Sequence, residues 1–317
     1  VTPPPEALRR DLAATWSQAD IARIDAALDD ARTGDAIVAF DWDNTVMRGD
    51  IGDLAMLQLL RAHPIPKPAQ WSDWGPLTRE AVDALEAAFG EAEALSLDAA
   101  DARALLAEIA WREEVKGAPA FEPRLNETLR AGYWMMASLL ESYPEALRKA
   151  LAQRVFRDAH EAEVGLVARV FGASVEAFAR PRRSMLALAR WAEARGVATW
   201  IVSASEETLV RTIAASLGFD ASRVIGAAPR ASHALFGEAV MTFDEGKRMH
   251  LAHRAFGVSA AEARTHVPRI AIGCGDSDTD HGMLVCAALI VLVDRGQPRV
   301  SKLAEARFAI RVSHEAF

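Results

Sequence analysis

The sequence predicts an α/β fold: a doubly wound parallel sheet that carries an inserted, all-helical unit. Three observations predict it. Short, largely apolar runs recur at residues 36–40, 197–202, 269–274 and 289–293, the pattern of strands buried on both faces. Helical patterns separate the later runs, and such alternation specifies parallel strands joined by crossovers. Between the first and second runs, residues 71–180 are almost wholly helical in pattern and poor in β-branched runs.

The elements follow in order. Residues 1–5 are a Pro-rich entry and 6–16 read as a helix. Ser17 is a good N-cap for a second helix, with Asp20 three residues on and Ile21, Ile24, Ala27 and Leu28 as its apolar stripe. Thr33, Gly34 and Asp35 punctuate the start of the first strand. Residues 51–63 form a helix that Pro64, Pro66 and Pro68 stop. Further helices are expected over 77–89, 98–115, 123–140, 144–156 and 159–171. Pro181 opens another that runs to Arg195, with Gly196 as its stop. The second strand ends at Ser203, and a helix over 206–217 leads to a short strand at 224–225. An irregular hairpin is expected over 234–243, then a helix over 245–256 with Lys247 near its start. The fourth strand ends at Cys274, a helix spans 281–287, and 289–293 is the fifth strand. The expected division is an N-terminal helical extension over 1–35, a core over 36–50 and 181–317, and a helical cap over 51–180.

Composition bounds the function. The chain has 317 residues, 51% hydrophobic and 25% charged, ample for a large core plus an inserted unit. Its net charge is −8 with no Lys/Arg block, which argues against a nucleic-acid surface. A small anion remains accessible, because a local Lys and a metal outweigh the global sign. Cys274 and Cys286 form neither a zinc pattern nor a disulfide framework and read as buried thiols. No apolar stretch reaches membrane-spanning length, so no membrane partner is expected. A cytoplasmic compartment is the expectation, with a periplasmic one open if a signal peptide preceded Val1. His250 and His253 share a helix face that reads as solvated.

The chemistry-bearing residues converge. In an open α/β sheet, ligands bind beyond the carboxyl ends of the strands. Asp41 and Asp43 follow the first strand, Ser203 ends the second, Lys247 lies in a helix first turn, and Asp276 and Asp280 follow the fourth strand. Carboxylates as close as Asp41 and Asp43 repel unless a cation or proton lies between them. A divalent metal site with a nucleophile and an acid/base beside it is the economical reading. Asp-x-Asp alone is a weak signal, and Asp278 reads as part of an acidic helix N-cap cluster.

On these residues the chain resembles the haloacid dehalogenase superfamily in its phosphatase branch. It is most similar there to phosphoserine and phosphorylcholine phosphatases. The matching motifs are Asp41-x-Asp43-x-Thr45, Ile201-Val202-Ser203, Lys247, and Gly275-Asp276-x-x-x-Asp280. The resemblance covers about 36–50 and 181–295 and implies a Rossmann-like core with a type-1 cap. It implies a Mg²⁺-dependent hydrolase of small phosphomonoesters. Asp41 would be the nucleophile that forms an aspartyl-phosphate, and Asp43 the acid/base. Asp41, the Asp43 carbonyl and Asp276 would hold Mg²⁺. Ser203, Ala204, Thr45 and the backbone N–H groups of Trp42 and Asp43 would serve the phosphate, and Lys247 would neutralise Asp41. Asp280 would orient Lys247 or a metal-bound water.

Other positions bear on substrate. Asp50 matches an acidic position that meets the substrate amine in phosphoserine phosphatases; the other reading is a helix N-cap. Trp71, Trp74, Trp111, Tyr133 and Trp134 make the cap rich in aromatics, for a quaternary-ammonium cage or for packing between cap helices. Trp42 stands between the aspartates and is expected towards the cap. Dehalogenases typically lack an acid at the Asp43 position, and P-type ATPases carry Lys where Trp42 stands. Phosphotransferases and phosphomutases share the core motifs and stay open. A receiver-type phosphoacceptor switch is the non-enzymatic alternative, though receivers are shorter and lack the insertion.

Overall fold

The structure is a computed structural model. It describes residues 5–32, 34–52, 55, 59, 63–74, 79–96, 137–158, 180–238 and 240–313. Its strands are β1 (Ile37–Phe40), β2 (Met47–Arg48), β3 (Ile65–Pro66), β4 (Ala94–Leu95), β5 (Arg180–Pro181), β6 (Thr199–Glu206), β7 (Val224–Ala227), β8 (Ile270–Gly275), β9 (Ala287–Asp294) and β10 (Ile310–Ser313). Six of them form one parallel sheet in the order β10-β9-β8-β1-β6-β7. The expected doubly wound parallel sheet is therefore present. The chain builds outward from β1 to β6 and β7, then returns to β8 on the other side. That reversal beside β1 opens a crevice at the strands' carboxyl ends.

Residue alternation along β1 assigns its side chains to the two faces. Val38 and Phe40 join the larger core, with helices Pro5–Ala13, Gln18–Ala31, Arg183–Ala194 and Glu207–Ser216. Ile37 and Ala39 join the other, with helices Glu245–Phe256, His281–Leu284 and Pro298–Ala306. Each fully buried large apolar side chain contributes about 1.5–3 kcal/mol, and a strand covered on both faces contributes from both. The N-terminal helices are tied to this core. Ser17 caps the second by accepting from Asp20 N, Trp16 Nε1 donates to Ser184 O at 3.0 Å, and Trp191 Nε1 donates to Asp25 at 2.8 Å.

Several elements differ from the sequence expectation. Pro181 sits in β5, and the helix begins at Arg183. β5 pairs antiparallel with β2, and Arg182 N donates to Val46 O at 2.8 Å. A two-residue edge strand tolerates the missing N–H donor of proline. In place of the expected hairpin over 234–243, residues 234–236 end a helix, Pro229–Phe236, with Pro at its first position and Gly237 closing it at φ 72°, and the described residues among 237–243 belong to no helix or strand. That helix covers the histidine face. His250 is buried, its ring meets Phe236 edge-on at 5.0 Å, and Nε2–H donates to Val240 O at 2.7 Å. Strand β6 runs on through Ser203 to Glu206. The helix Pro298–Ala306 and the edge strand β10 were not expected; at the sheet edge, β10 alternates buried and exposed positions and lacks a continuous apolar run.

The described part of the insertion is mainly helical, with helices Arg79–Phe89 and Glu145–Asp158. It also contains the antiparallel pair β3–β4. Trp71, Trp74 and Phe89 pack edge-to-face on one another, 5.5–6.3 Å between ring centroids. These rings fill each other's faces, which is the core-packing reading for Trp71 and Trp74. The helices expected over 98–115 and 159–171, most of 51–63 and 123–140, and Trp111, Tyr133 and Trp134 lie outside the described residues. Helix Glu145–Asp158 packs on helix Glu207–Ser216, and the buried Glu206 carboxylate pairs with Arg148 across that contact.

One glycine sets where the helix bearing Lys247 begins. A Cβ on Gly246 would lie 1.6 Å from Met241 O, so only glycine lets this first turn meet that carbonyl. Gly246→Ala is expected to lower the unfolding free energy by about 1–3 kcal/mol, read as a lower denaturant midpoint. An unchanged midpoint would show that the turn yields freely.

Candidate active site

The carboxyl ends of β1, β6 and β8, neighbours in the sheet, meet the helix Glu245–Phe256 at one point. Asp41 is held there by its own amide, which donates to Cys274 O of β8 at 2.9 Å. Lys247 is fully buried, and its Nζ donates to Asp41 Oδ1 and to Asp280 Oδ1, each at 2.5 Å. The other oxygen of Asp280 accepts from the amides of Asp276 at 2.9 Å and Ser277 at 3.0 Å. A Cβ on Gly275 would come within 2.7 Å of that oxygen, so glycine here admits the Asp280 carboxylate against the strand end.

Asp276 lies beside them, buried. Its Oδ1 accepts from Thr45 Oγ1 at 3.2 Å and its Oδ2 from Arg295 Nη1 at 2.7 Å. The Thr45 hydroxyl, expected to serve the phosphate, donates to Asp276 instead. Carboxylate oxygens of Asp41, Asp276 and Asp280 lie within 4.8 Å of one another. Such a donor set suits a hard divalent cation. Asp280 has one oxygen on Lys247 and the other on two amides, and Asp276 has its two on Thr45 and Arg295, so an ion bound at either carboxylate shares or displaces one of these partners.

Asp43 faces the crevice from the loop after β1. Ile51 N donates to its Oδ1 at 2.8 Å; the hydroxyls of Ser203 and Ser205 donate to its Oδ2 at 3.2 Å and 2.6 Å. Ser203 and Ser205 share one side of β6 through its two-residue period, with Ala204 between them. Thr242 Oγ1 donates to Ser203 O at 2.6 Å, fixing the strand end. Asp50 lies close enough for its charge to act on Asp43. The Trp42 side chain is buried in the larger core, edge-on to Phe219 at 6.3 Å, so only its backbone stays available to a ligand.

The electrostatics follow from burial. Desolvation raises Asp41 to about 6, the Asp280 charge adds to this, and Lys247 opposes it. Desolvation and the Asp50 charge hold Asp43 well above the usual carboxylate range, opposed by Ser205 and the Ile51 amide. Desolvation, then Asp280 and Asp41, raise Asp276 against the pull of Arg295. Burial alone would lower Lys247, but Asp280 and Asp41 outweigh it and keep the ammonium charged. The ammonium of Lys247 therefore stays protonated, while Asp41 holds its proton more readily than a free acid.

Sequence reasoning missed two of these residues. Ser205 makes the shorter of the two hydroxyl contacts to Asp43, and the two-residue strand period after Ser203 was the available signal. Arg295 follows β9 directly, at the same sheet edge that marked the other site residues. Asp278 behaves as a cap: its Oδ1 accepts from the amides of Arg299 and Val300 at 2.9 Å and 3.0 Å, at the start of helix Pro298–Ala306.

Comparison with known proteins bears on these residues. The family of haloacid dehalogenase-like hydrolases matches over residues 107–285, more than half of the chain. That span contains Ser203, Lys247, Asp276 and Asp280. No curated protein matches. Among solved structures, the chain is similar to a conserved functionally unknown protein from Anaerococcus prevotii DSM 20548, at 14% identity and TM-score 0.47, covering 94% of this chain and 92% of that one. It is also similar to a protein of unknown function from Bordetella pertussis Tohama I, at 17% identity and TM-score 0.47, covering 88% and 98%.

The Asp43 environment has a consequence for stability. A carboxyl whose folded pKa is raised leaves the folded state holding more protons than the unfolded one, so stability falls as pH rises through that window. Asp43→Asn removes this cost. In chelator-treated protein the variant is expected to have a higher denaturant midpoint than wild type at pH 8, the gap closing towards pH 4. A gap equal at both pH values would show that Asp43 titrates as an ordinary carboxylate.

Proposed function

This chain belongs to the haloacid dehalogenase-like hydrolase family, and from that premise we propose that it is a Mg²⁺-dependent phosphomonoesterase working through Asp41. The observation that supports this most is the buried Lys247 bridging Asp41 and Asp280 at 2.5 Å, with Asp43 facing the same crevice. Lys247 takes one Asp41 oxygen and leaves the other for attack on phosphorus. As the new oxygen–phosphorus bond forms, the bond to the alkoxide leaving group breaks. Asp43 gives that alkoxide its proton. Its raised proton affinity, set by desolvation and Asp50, suits an acid of this kind. Asp43 then takes a proton from the water that attacks the aspartyl-phosphate, which frees phosphate and restores Asp41.

Asp41, Asp276 and the Asp43 carbonyl would hold Mg²⁺, whose charge offsets that of the phosphoryl oxygens. Ser203 and the backbone amides of Trp42, Asp43 and Ala204 would receive those oxygens. Ser205 keeps Asp43 aimed through its 2.6 Å contact. Asp280 holds Lys247 in place. The insertion over 51–180 would serve as the cap that reads the substrate and excludes water. The substrate is a small phosphorylated metabolite. Asp50 beside Asp43 favours one with an amine or quaternary ammonium, phosphoserine or phosphorylcholine in kind.

Phosphate release from a panel of phosphomonoesters, with Mg²⁺ or chelator, tests the reading. Asp41→Asn and Asp276→Asn are expected to abolish release, and chelation to abolish it reversibly. Asp43→Asn is expected to slow turnover by about 10²–10⁴-fold and to accumulate phosphoenzyme. Transfer to an added alcohol that exceeds hydrolysis would mark a phosphotransferase instead. Full activity of Asp41→Asn would sink the mechanism.

A further inference from the structure

We propose that Arg295 is a positioning residue that acts as the internal counter-cation of Asp276, and that it competes with a divalent ion for that carboxylate. The inference rests on the metal-centre reading above and goes beyond it, because it assigns a role to a residue outside every motif that suggested the centre.

The geometry carries it. Asp41, Asp276 and Asp280 crowd together in the interior. The hydrogen bonds of Lys247 go to Asp41 and Asp280. Among the described residues, the cation paired with Asp276 is Arg295, whose Nη1 lies 2.7 Å from Oδ2. Arg295 is delivered to this place. Strand β9 lies next to β8, so its carboxyl end opens beside Asp276. Asp294, the last residue of β9, accepts from Gly296 N at 3.0 Å through Oδ1 and from Arg311 Nη1 of β10 at 2.6 Å through Oδ2. Gly296 turns the chain at φ 72°. The carboxylate of Asp294 thus braces the turn that holds Arg295 against the site.

Charge gives the function. Three carboxylates against the one ammonium of Lys247 would leave the metal-free site strongly negative. Arg295 reduces that excess, so the acids can be ordered before an ion arrives. The same positive charge repels an arriving divalent ion across a short, partly buried distance, where Coulomb terms are large. A group that stabilises the empty state and opposes the loaded one must weaken ion binding, by linkage. The ion then stays exchangeable. The Arg295 side chain is 28% exposed, so solvent keeps the coupling at the low end of its usual range.

Calorimetric titration with Mg²⁺, and with Mn²⁺ as a second probe, tests this on the full chain as wild type, Arg295→Met, Arg295→Lys and Asp276→Asn. Arg295→Met is expected to melt at a lower temperature without metal and to bind Mg²⁺ about fivefold more tightly. Its melting temperature should therefore rise more on Mg²⁺ addition than that of wild type. Arg295→Lys keeps the charge and is expected to bind as wild type does. Asp276→Asn should abolish binding. Should Arg295→Met fail to fold, Arg295→Gln provides the same comparison. Equal or weaker Mg²⁺ binding by the charge-removing variant overturns the competition, while leaving the metal centre intact. Absence of binding by wild type itself would overturn the metal centre, and this inference with it.

Discussion

The structure around the crevice depends on one buried ammonium. Lys247 is 0% exposed and holds Asp41 and Asp280. Burying three charged groups costs several kcal/mol per ion before pairing returns any of it, and removal of one partner strands the others. An interaction of this kind is a poor source of stability and a strong source of geometry. It requires a helix that starts at the right place, which Gly246 permits against Met241 O. It requires the second acid to be held from behind, which the amides of Asp276 and Ser277 do. It also requires a sheet whose central strand ends beside the fourth and second strands of the core.

The sheet meets the last requirement by its winding. The same reversal that lets β1 be flanked by β6 and β8 brings three strand ends to one crevice. Burial on both faces holds those ends still. Positions on β1 alternate between two hydrophobic clusters, so a slip of one residue would exchange the faces and misplace Asp41 together with the core. Stability and site geometry therefore rest on the same register.

The insertion is tied to this arrangement from one side. Glu206 ends β6, accepts from Leu209 N at 3.0 Å as a helix cap, and also receives Arg148 from the insertion. Ser203 and Ser205, which hold Asp43, lie on the same strand end. The position of helix Glu145–Asp158 and the orientation of Asp43 are thus linked through three residues of backbone. Near the first-strand loop, β2 and β5 close the neck of the insertion.

The linear chain showed which strands carry chemistry. Apolar runs that must be buried on both faces, each followed by a carboxylate, hydroxyl or helix-borne Lys, located Asp41, Asp43, Ser203, Lys247, Asp276 and Asp280 at one sheet edge. Periodicity and caps also located the N-terminal helices, because Ser17 and the apolar stripe after it act locally. What depends on contacts distant in sequence was not legible there. Where a hairpin was expected over 234–243, a helix ends at Phe236, whose ring meets His250 from outside that helix. Trp42 packs edge-on against Phe219, 177 residues away, within the larger core. Arg295 and Ser205 became part of the site through partners 19 and 162 residues away. Local pattern tells which side chains can be buried or charged. Only packing tells which of them meet, because hydrogen bonds and Coulomb forces act across space and not along the chain.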